Sequence, residues 1–364
     1  MQSQNFRYIS RIDHLRFFAF LLVFLFHFRF EFPGEMQLST ANPASIKEML
    51  KLWVEGGYSG VSLFLVLSGF LFCLIADGGN KNIRYLPFIY NRILRIFPLL
   101  TVLVFIVISV HRGESTPMDI LRLLTLQLNT GHPWTGWGHS ELFPSGPIWT
   151  IAVEFQFYLI FPLLIGFVRQ NGLRWLCLAM LLMVVIRLLV IGNASPQMYY
   201  PFYHTILGRL DQFLIGMFAA ILYLRYPRFL FRPAAQWLCV VFLLAAFPYL
   251  FHQRKESWFG AAFSFPCEAI LWSLFIVLYL RFPFPNSPRI DRALAWLGSL
   301  SFSLYLFHEP VLFFMMKKAG LAQPHSLSDL LLKSALIIPV VILFAALTYY
   351  TVEKPFFAKR VKYT

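Results

Sequence analysis

An arginine and a histidine share one apolar stretch near the start of the chain, RIDHLRFFAFLLVFLFHFRF (residues 11–30). Arg16 and His27 are eleven residues apart, which is about three turns of an α-helix. Both side chains are therefore expected on one stripe, roughly 16 Å apart along the helix axis. Ionisable groups surrounded by hydrocarbon are energetically costly and usually mark function. This pair predicts an active site inside a membrane.

His27 has two interpretations. A single histidine on an apolar helix is often a hydrogen-bonded packing residue. Its depth in the stretch, and Glu31 one turn later, favour a neutral imidazole that acts as general base on a hydroxyl group. Glu31 itself fits either a carboxylate behind that imidazole or an ordinary acid at the membrane surface.

Two arginines three residues apart, Arg92 and Arg95, precede the third apolar segment. This spacing places both on one face of a helix, and guanidinium groups bind phosphate through paired hydrogen bonds. The alternative is the usual excess of basic residues on the cytoplasmic side of a membrane protein. That alternative explains the charge but not the spacing, so a phosphate site stays open here.

The fourth apolar segment contains a carboxylate, Glu154, with Tyr158 one turn later and Trp149 about one turn earlier. A carboxylate at that depth needs a cation, a histidine or a hydroxyl group as partner. We favour a role for Glu154 in the site, and the alternative is a structural hydrogen bond within the bundle.

Two further segments carry polar groups. Arg209 and Asp211 are two residues apart, so they point to different sides of a helix and should pair with other helices. Ser301, Tyr305 and His308 fall on one helical face. For these residues, substrate contact and packing inside the bundle are both open.

Composition gives the class of protein. Of the 364 residues, 58% are hydrophobic and only 13% are charged, whereas soluble domains are about one-quarter charged. We therefore predict an all-α, polytopic membrane protein that forms one domain over residues 1–364, with no separate soluble domain. About ten apolar segments are long enough to span a bilayer, near residues 14–31, 57–76, 96–111, 147–168, 173–192, 204–224, 234–251, 263–281, 295–316 and 330–352.

The formal charge of +14 fits the basic cytoplasmic loops of a membrane protein, and we expect no nucleic-acid partner. Loops on the side of both termini hold about nineteen Lys and Arg, against about ten in the alternate loops. Both termini are therefore predicted to be cytoplasmic. The four cysteines stand alone in apolar runs, so neither a metal site nor a disulfide framework is expected.

Seven motifs in order over nearly the whole chain resemble the bacterial acyltransferase-3 family. They are LR-x10-H, GVSLFLVLSGFLF, NRILRIFPLL, WTIAVEFQFYLIFPLL, GRLDQFLIGM, SFSLYLFHEPV and VEKPF. In one of them Ser62 stands where the family motif usually has an aspartate. An extra extracytoplasmic hydrolase-like domain, found in some members, has no counterpart in this sequence.

The resemblance implies a ten-helix bacterial inner-membrane O-acyltransferase. Such an enzyme would move an acyl group, usually acetyl, from cytoplasmic acyl-CoA to a hydroxyl of a surface glycan, such as lipopolysaccharide O-antigen. The family's essential arginine and histidine correspond to Arg16 and His27, its arginine pair to Arg92 and Arg95, and its fourth-span glutamate to Glu154.

These elements combine into one hypothesis. The arginine pair, with Arg16, would hold the phosphates of acetyl-CoA, and the pantetheine arm would bring the thioester along the first helix to His27. Glu154 or Glu31 would fix the tautomer of His27, and a covalent acyl-histidine is the variant. The candidate substrate contacts are Trp149, Tyr158, Arg209, Asp211, Tyr305 and His308.

The rival hypothesis is a transporter or flippase of a glycan precursor, because buried charges also line transport paths. In either case the expected partners are membrane lipids and a glycan, with the oligomeric state open.

Overall fold

The computed structural model describes residues 8–31, 45–110, 113, 116–127, 148–193, 203–229, 232–256, 258–283 and 287–364. Within these ranges the chain forms helices and no strand, which confirms the predicted all-α fold. In chain order the helices are α1 Ser10–Glu31, α2 Ile46–Glu55, α3 Ser59–Ile75, α4 Tyr85–Val110, α5 Pro117–Leu124, α6 Ile148–Asn171, α7 Leu173–Asn193, α8 Ile206–Arg225, α9 Pro233–Glu256, α10 Trp258–Arg281, α11 Pro288–Ser299, α12 Ser301–Phe313, α13 Leu327–Thr348 and α14 Lys354–Phe357.

Eight helical stretches among the described residues are long and apolar enough to cross a membrane. A ninth is obtained if α11 and α12, which bend by 66° at their junction, count as one span. The predicted number was about ten. The difference includes α1, which is 22 residues long but carries Arg11, Asp13 and Arg16 in its first two turns.

The closest contacts between helices occur at small residues. Helices in a membrane gain little from the hydrophobic effect when they associate, so they depend on close packing. A side chain at Gly216 of α8 would collide with the backbone carbonyl of Val66 in α3, and one at Gly298 of α11 would collide with the backbone of Asp13 in α1. Helix α1 is therefore held inside the bundle, with Phe20, Phe24 and Phe28 fully buried. This burial brings its polar residues against other helices.

Candidate active site

His27 meets a second histidine. Its Nδ1 atom lies 2.7 Å from Nε2 of His308 on α12, and the two imidazole rings are stacked with centroids 5.0 Å apart. On its other side, Nδ1 of His308 lies 2.7 Å from the backbone oxygen of Tyr305. We call this series (His27, His308 and the Tyr305 carbonyl) the histidine chain.

The histidine chain fixes where the hydrogens are. A backbone carbonyl only accepts, so Nδ1 of a neutral His308 must carry its hydrogen and Nε2 must be an acceptor. The donor in the bond between the histidines is then Nδ1 of His27. A neutral His27 consequently has its lone pair on Nε2. That side chain is 19% exposed, so this nitrogen is suited to take a proton from a hydroxyl group.

A carboxylate stands beside this pair. Oε1 of Glu309, which is mostly buried, lies 3.5 Å from Nδ1 of His27. When Nε2 of His27 gains a proton the ring becomes a cation, and a nearby buried carboxylate stabilises that charge. The arrangement therefore provides a base, a residue that orients it and a counter-charge.

The same three side chains place their ligand atoms within 4.8 Å of one another, close enough to be considered for a metal ion. Two nitrogen ligands of a tetrahedral zinc ion, each about 2.0–2.1 Å from the metal, are about 3.3 Å apart. The nitrogens of His27 and His308 are separated by 2.7 Å, which is a hydrogen-bond distance. The geometry thus favours a shared proton, and the absence of a metal stays a prediction.

Of the two carboxylates predicted to fix the tautomer of His27, Glu154 does not contact it. Glu154 instead accepts a hydrogen bond of 2.8 Å from Ser68 of α3 and a short one from Tyr158, one turn along its own helix. The position expected for its carboxylate is occupied by His308, with Glu309 adjacent. The side chain of Glu31 lies outside the described residues.

Two cavities adjoin in the bundle. The small cavity, of about 100 Å³, is lined by Glu154, Tyr158 and Tyr305 among others. The large cavity, of about 820 Å³, is lined by residues from both ends of the chain, including Tyr8 and Tyr363. Both cavities are lined by the three arginines predicted to hold phosphate, Arg16, Arg92 and Arg95.

His27 lines neither cavity. Tyr305 is part of the wall of the small cavity. Its hydroxyl group is 2.9 Å from that of Thr150, and its ring centroid is 5.7 Å from that of His308. Tyr305 therefore contacts the histidine chain from the wall of the cavity.

The arginines differ in their surroundings. Arg16 forms an ion pair of 2.6 Å with Asp13, and Arg95 forms one of 3.1 Å with Glu353. Arg92 instead lies over the rings of Phe72, Phe88 and Tyr158, and its buried Nε has no hydrogen-bond partner among the described residues.

The other predicted substrate contacts, Trp149, Arg209 and Asp211, form a second group and line neither cavity. Asp211 is 2.7 Å from Arg187 of α7, and the guanidinium of Arg209 lies between the rings of Tyr203 and Phe265. The Trp149 ring packs on the same guanidinium, 5.5 Å away. As predicted, Arg209 and Asp211 contact different elements.

Ser62, at the position where an aspartate is usual, has an acid beside it. Its hydroxyl group is 2.5 Å from the carboxylate of Glu268 on α10 and 2.9 Å from the side-chain amide of Gln212. A carboxylate is therefore present at this position, but it comes from another helix.

Sequence reasoning did not find three residues of the site. Glu309 follows His308 directly, Glu353 lies in the VEKPF motif, and Arg360 lines the large cavity from the C-terminal tail. The two motifs containing the glutamates were noted, but nothing local indicated which residues they contact. No motif contained Arg360.

Comparison with known proteins gives a family match. Residues 9–350 match a family model described as an acyltransferase domain. No solved structure matches the chain.

Three relatives illustrate the likeness. YrhL of Bacillus subtilis (strain 168), provisionally named a peptidoglycan O-acetyltransferase, is 26% identical over 97% of this chain and 56% of its own length. The O-acetyltransferase OatA of Staphylococcus aureus is 24% identical over 85% of this chain and 51% of its own. BcsY of Komagataeibacter xylinus, provisionally named a membrane-bound transacylase, is 26% identical over 74% of this chain and 72% of its own. The chain thus spans about half the length of the first two.

Proposed function

The chain belongs to the acyltransferase-3 family; on this premise we propose that it is a membrane O-acyltransferase, which moves an acetyl group from acetyl-CoA to a hydroxyl of a surface glycan. The observation that carries this proposal is the histidine chain. It leaves Nε2 of His27 as the base, while the arginine-lined cavities start at the end of the bundle where the two termini meet.

The donor would enter the large cavity with its phosphates at Arg92 and Arg95. Basic side chains at this end, and the excess of Lys and Arg in the loops beside the termini, support a cytoplasmic position for both termini and a bacterial cytoplasmic membrane as the location. Acyl-CoA is made in the cytoplasm, so this orientation gives the donor direct access.

The acyl arm would extend into the small cavity. Polar groups on its wall, from Ser68, Thr150 and Tyr305, suit the amide groups of pantetheine. Rotation of the Tyr305 side chain would then let the thioester reach His27.

The proposed transfer uses only side chains of the protein and the two substrates. Nε2 of His27 takes the proton of the acceptor hydroxyl, while the oxygen of that hydroxyl attacks the thioester carbonyl. The carbon–sulfur bond breaks, and the sulfur leaves as the thiol with the proton that His27 returns. Glu309 stabilises the intermediate imidazolium. An acyl-histidine intermediate is the variant mechanism.

The acceptor is proposed as a class. YrhL is named for peptidoglycan, which makes peptidoglycan the first glycan to test, and O-antigen is the second because the sequence resemblance suggested it.

The test uses purified protein in nanodiscs with acetyl-CoA labelled in the acetyl group. Peptidoglycan fragments and O-antigen are offered separately, and mass spectrometry looks for the mass of one acetyl group on the glycan. Labelled glycan supports the proposal. Movement of a glycan across the membrane without acetyl transfer would overturn it and favour a transporter.

A further inference from the structure

The large cavity contains more positive charge than its carboxylates balance. Its two acidic residues are Asp13, which pairs with Arg16, and Asp291, while Arg95 on the same wall pairs with Glu353. The cations on its wall are Arg16, Arg92, Arg95, Arg292, Lys354 and Arg360. A cavity with this excess of positive charge attracts anions.

Arg360 and Arg92 have similar surroundings. In each, the Nε atom is buried and has no hydrogen-bond partner among the described residues. Each guanidinium carbon instead lies over an aromatic ring, and that of Arg360 is 3.7 Å from the Phe357 centroid. A guanidinium that lies over a ring can still donate hydrogen bonds to an oxyanion from the part of its edge that lines the cavity.

The C-terminal tail is tied down where Arg360 enters the cavity. The Asn91 side chain makes two hydrogen bonds with the backbone of Val361, of 2.7 and 2.9 Å. The backbone nitrogen of Arg84 donates to the Tyr363 carbonyl at 2.9 Å. The buried Tyr363 ring packs edge-on against Phe88 at 5.3 Å. Asn91 is the neighbour of Arg92, so these bonds fix Arg360 beside the arginine pair.

The closeness of these cations is electrostatically unfavourable. Burial, together with the positive charges of Arg92 and Arg95, lowers the pKa of Arg360 to about 9. Groups of like charge destabilise a fold unless an anion lies between them. The tail therefore holds Arg360 against electrostatic repulsion that a bound polyanion would remove.

We propose that Arg360 is a donor-binding residue, which completes a site of three guanidinium groups with Arg92 and Arg95 for the phosphate groups of a nucleotide-linked acyl donor. This inference rests on the proposed function, because it names further contacts of the same donor. It assigns the C-terminal tail to the binding site, in addition to the membrane-spanning helices. Three cations suit a ligand with a diphosphate and a phosphate monoester, which coenzyme A has.

The test measures binding of coenzyme A to the full-length protein in nanodiscs by calorimetry, at several salt concentrations. We expect Arg360→Gln to weaken binding about tenfold, the size of one charge-assisted hydrogen-bonded contact, and to reduce its salt dependence. The matched control is Lys359→Gln, which removes the adjacent but exposed charge and should bind as the wild type does.

A second readout separates binding from folding. Without ligand, the thermal unfolding temperature of Arg360→Gln should equal or exceed that of the wild type, because a repulsive charge has gone. Pantetheine, which has no phosphate, should bind both proteins alike.

The outcomes are distinct. Binding of coenzyme A by Arg360→Gln within twofold of wild type would overturn this inference alone. Equal losses for Arg360→Gln and Lys359→Gln would overturn it as well. Failure of the wild-type protein to bind coenzyme A would overturn the proposed donor and, with it, the inference.

Discussion

Two groups of charged residues in this bundle are arranged in opposite ways. Arg187 and Asp211 are fully buried, carry opposite charges and lie 2.7 Å apart. Arg92, Arg95 and Arg360 carry the same charge and surround a cavity of about 820 Å³. Paired opposite charges need no ligand, whereas the three arginines around open space, of which Arg95 pairs with Glu353, leave an excess of positive charge that attracts an anion. We therefore interpret the first group as structural and the second as a binding site.

The largest effect that the comparison predicts is on folding. Asp211→Ala would leave the buried guanidinium of Arg187 without its counter-charge, which costs about 3–5 kcal/mol. Thermal unfolding in detergent should show a much less stable protein, and Asp211→Asn should fall between this variant and the wild type. Donor affinity of the folded fraction should not change. If Asp211→Ala were as stable as the wild type, the pair of Arg187 and Asp211 would not have the structural role assigned to it.

The next effect concerns the rate of transfer. Glu309→Gln keeps the shape of the side chain but removes the charge 3.5 Å from Nδ1 of His27. The acetyl-transfer rate at saturating donor should fall about 10–100-fold, the loss expected for about 1.4–2.7 kcal/mol of stabilisation. Donor affinity should stay constant. An unchanged rate would show that Glu309 does not stabilise the imidazolium.

A smaller effect is expected at the cavity. Arg92→Gln should weaken donor binding about tenfold and lower its dependence on salt, since a charge-assisted contact is lost. Arg169→Gln is the matched control, because that arginine is exposed and lines neither cavity. If both variants lost affinity equally, donor binding would depend on the overall positive charge of the protein and not on a specific site at Arg92.

No effect is expected from metal removal. Dialysis against a chelator should leave the transfer rate unchanged, because the 2.7 Å separation of the two histidine nitrogens fits a shared proton better than a metal. A loss of activity that zinc restores would instead assign His27, His308 and Glu309 to a metal centre.

Local pattern predicted much of the fold. The apolar segments correspond to helices, as their length and composition predicted. Arg92 and Arg95 were found because they are three residues apart on one helix, and their side chains do line the same cavities.

Contacts between residues far apart in the sequence could not be predicted from local pattern. His27 and His308 are 281 residues apart, and Arg95 and Glu353 are 258 apart. Helical periodicity gives the face of each residue but not the helix it meets. Glu154 was therefore assigned to His27, although Ser68 and Tyr158 bind it. Arg360 was missed for the same reason, since only the contact of the tail with α4 brings it to the arginine pair.

In the proposed mechanism His27 performs the chemistry while the arginines bind the donor. The decisive experiment measures acetyl-CoA affinity and acetyl transfer on the same preparation of His27→Ala, with the exposed His325→Ala as control. We expect a dissociation constant within about twofold of wild type and a transfer rate reduced about a thousandfold, within the range for loss of a general base. Transfer by His27→Ala at a rate near that of the wild type would contradict the account.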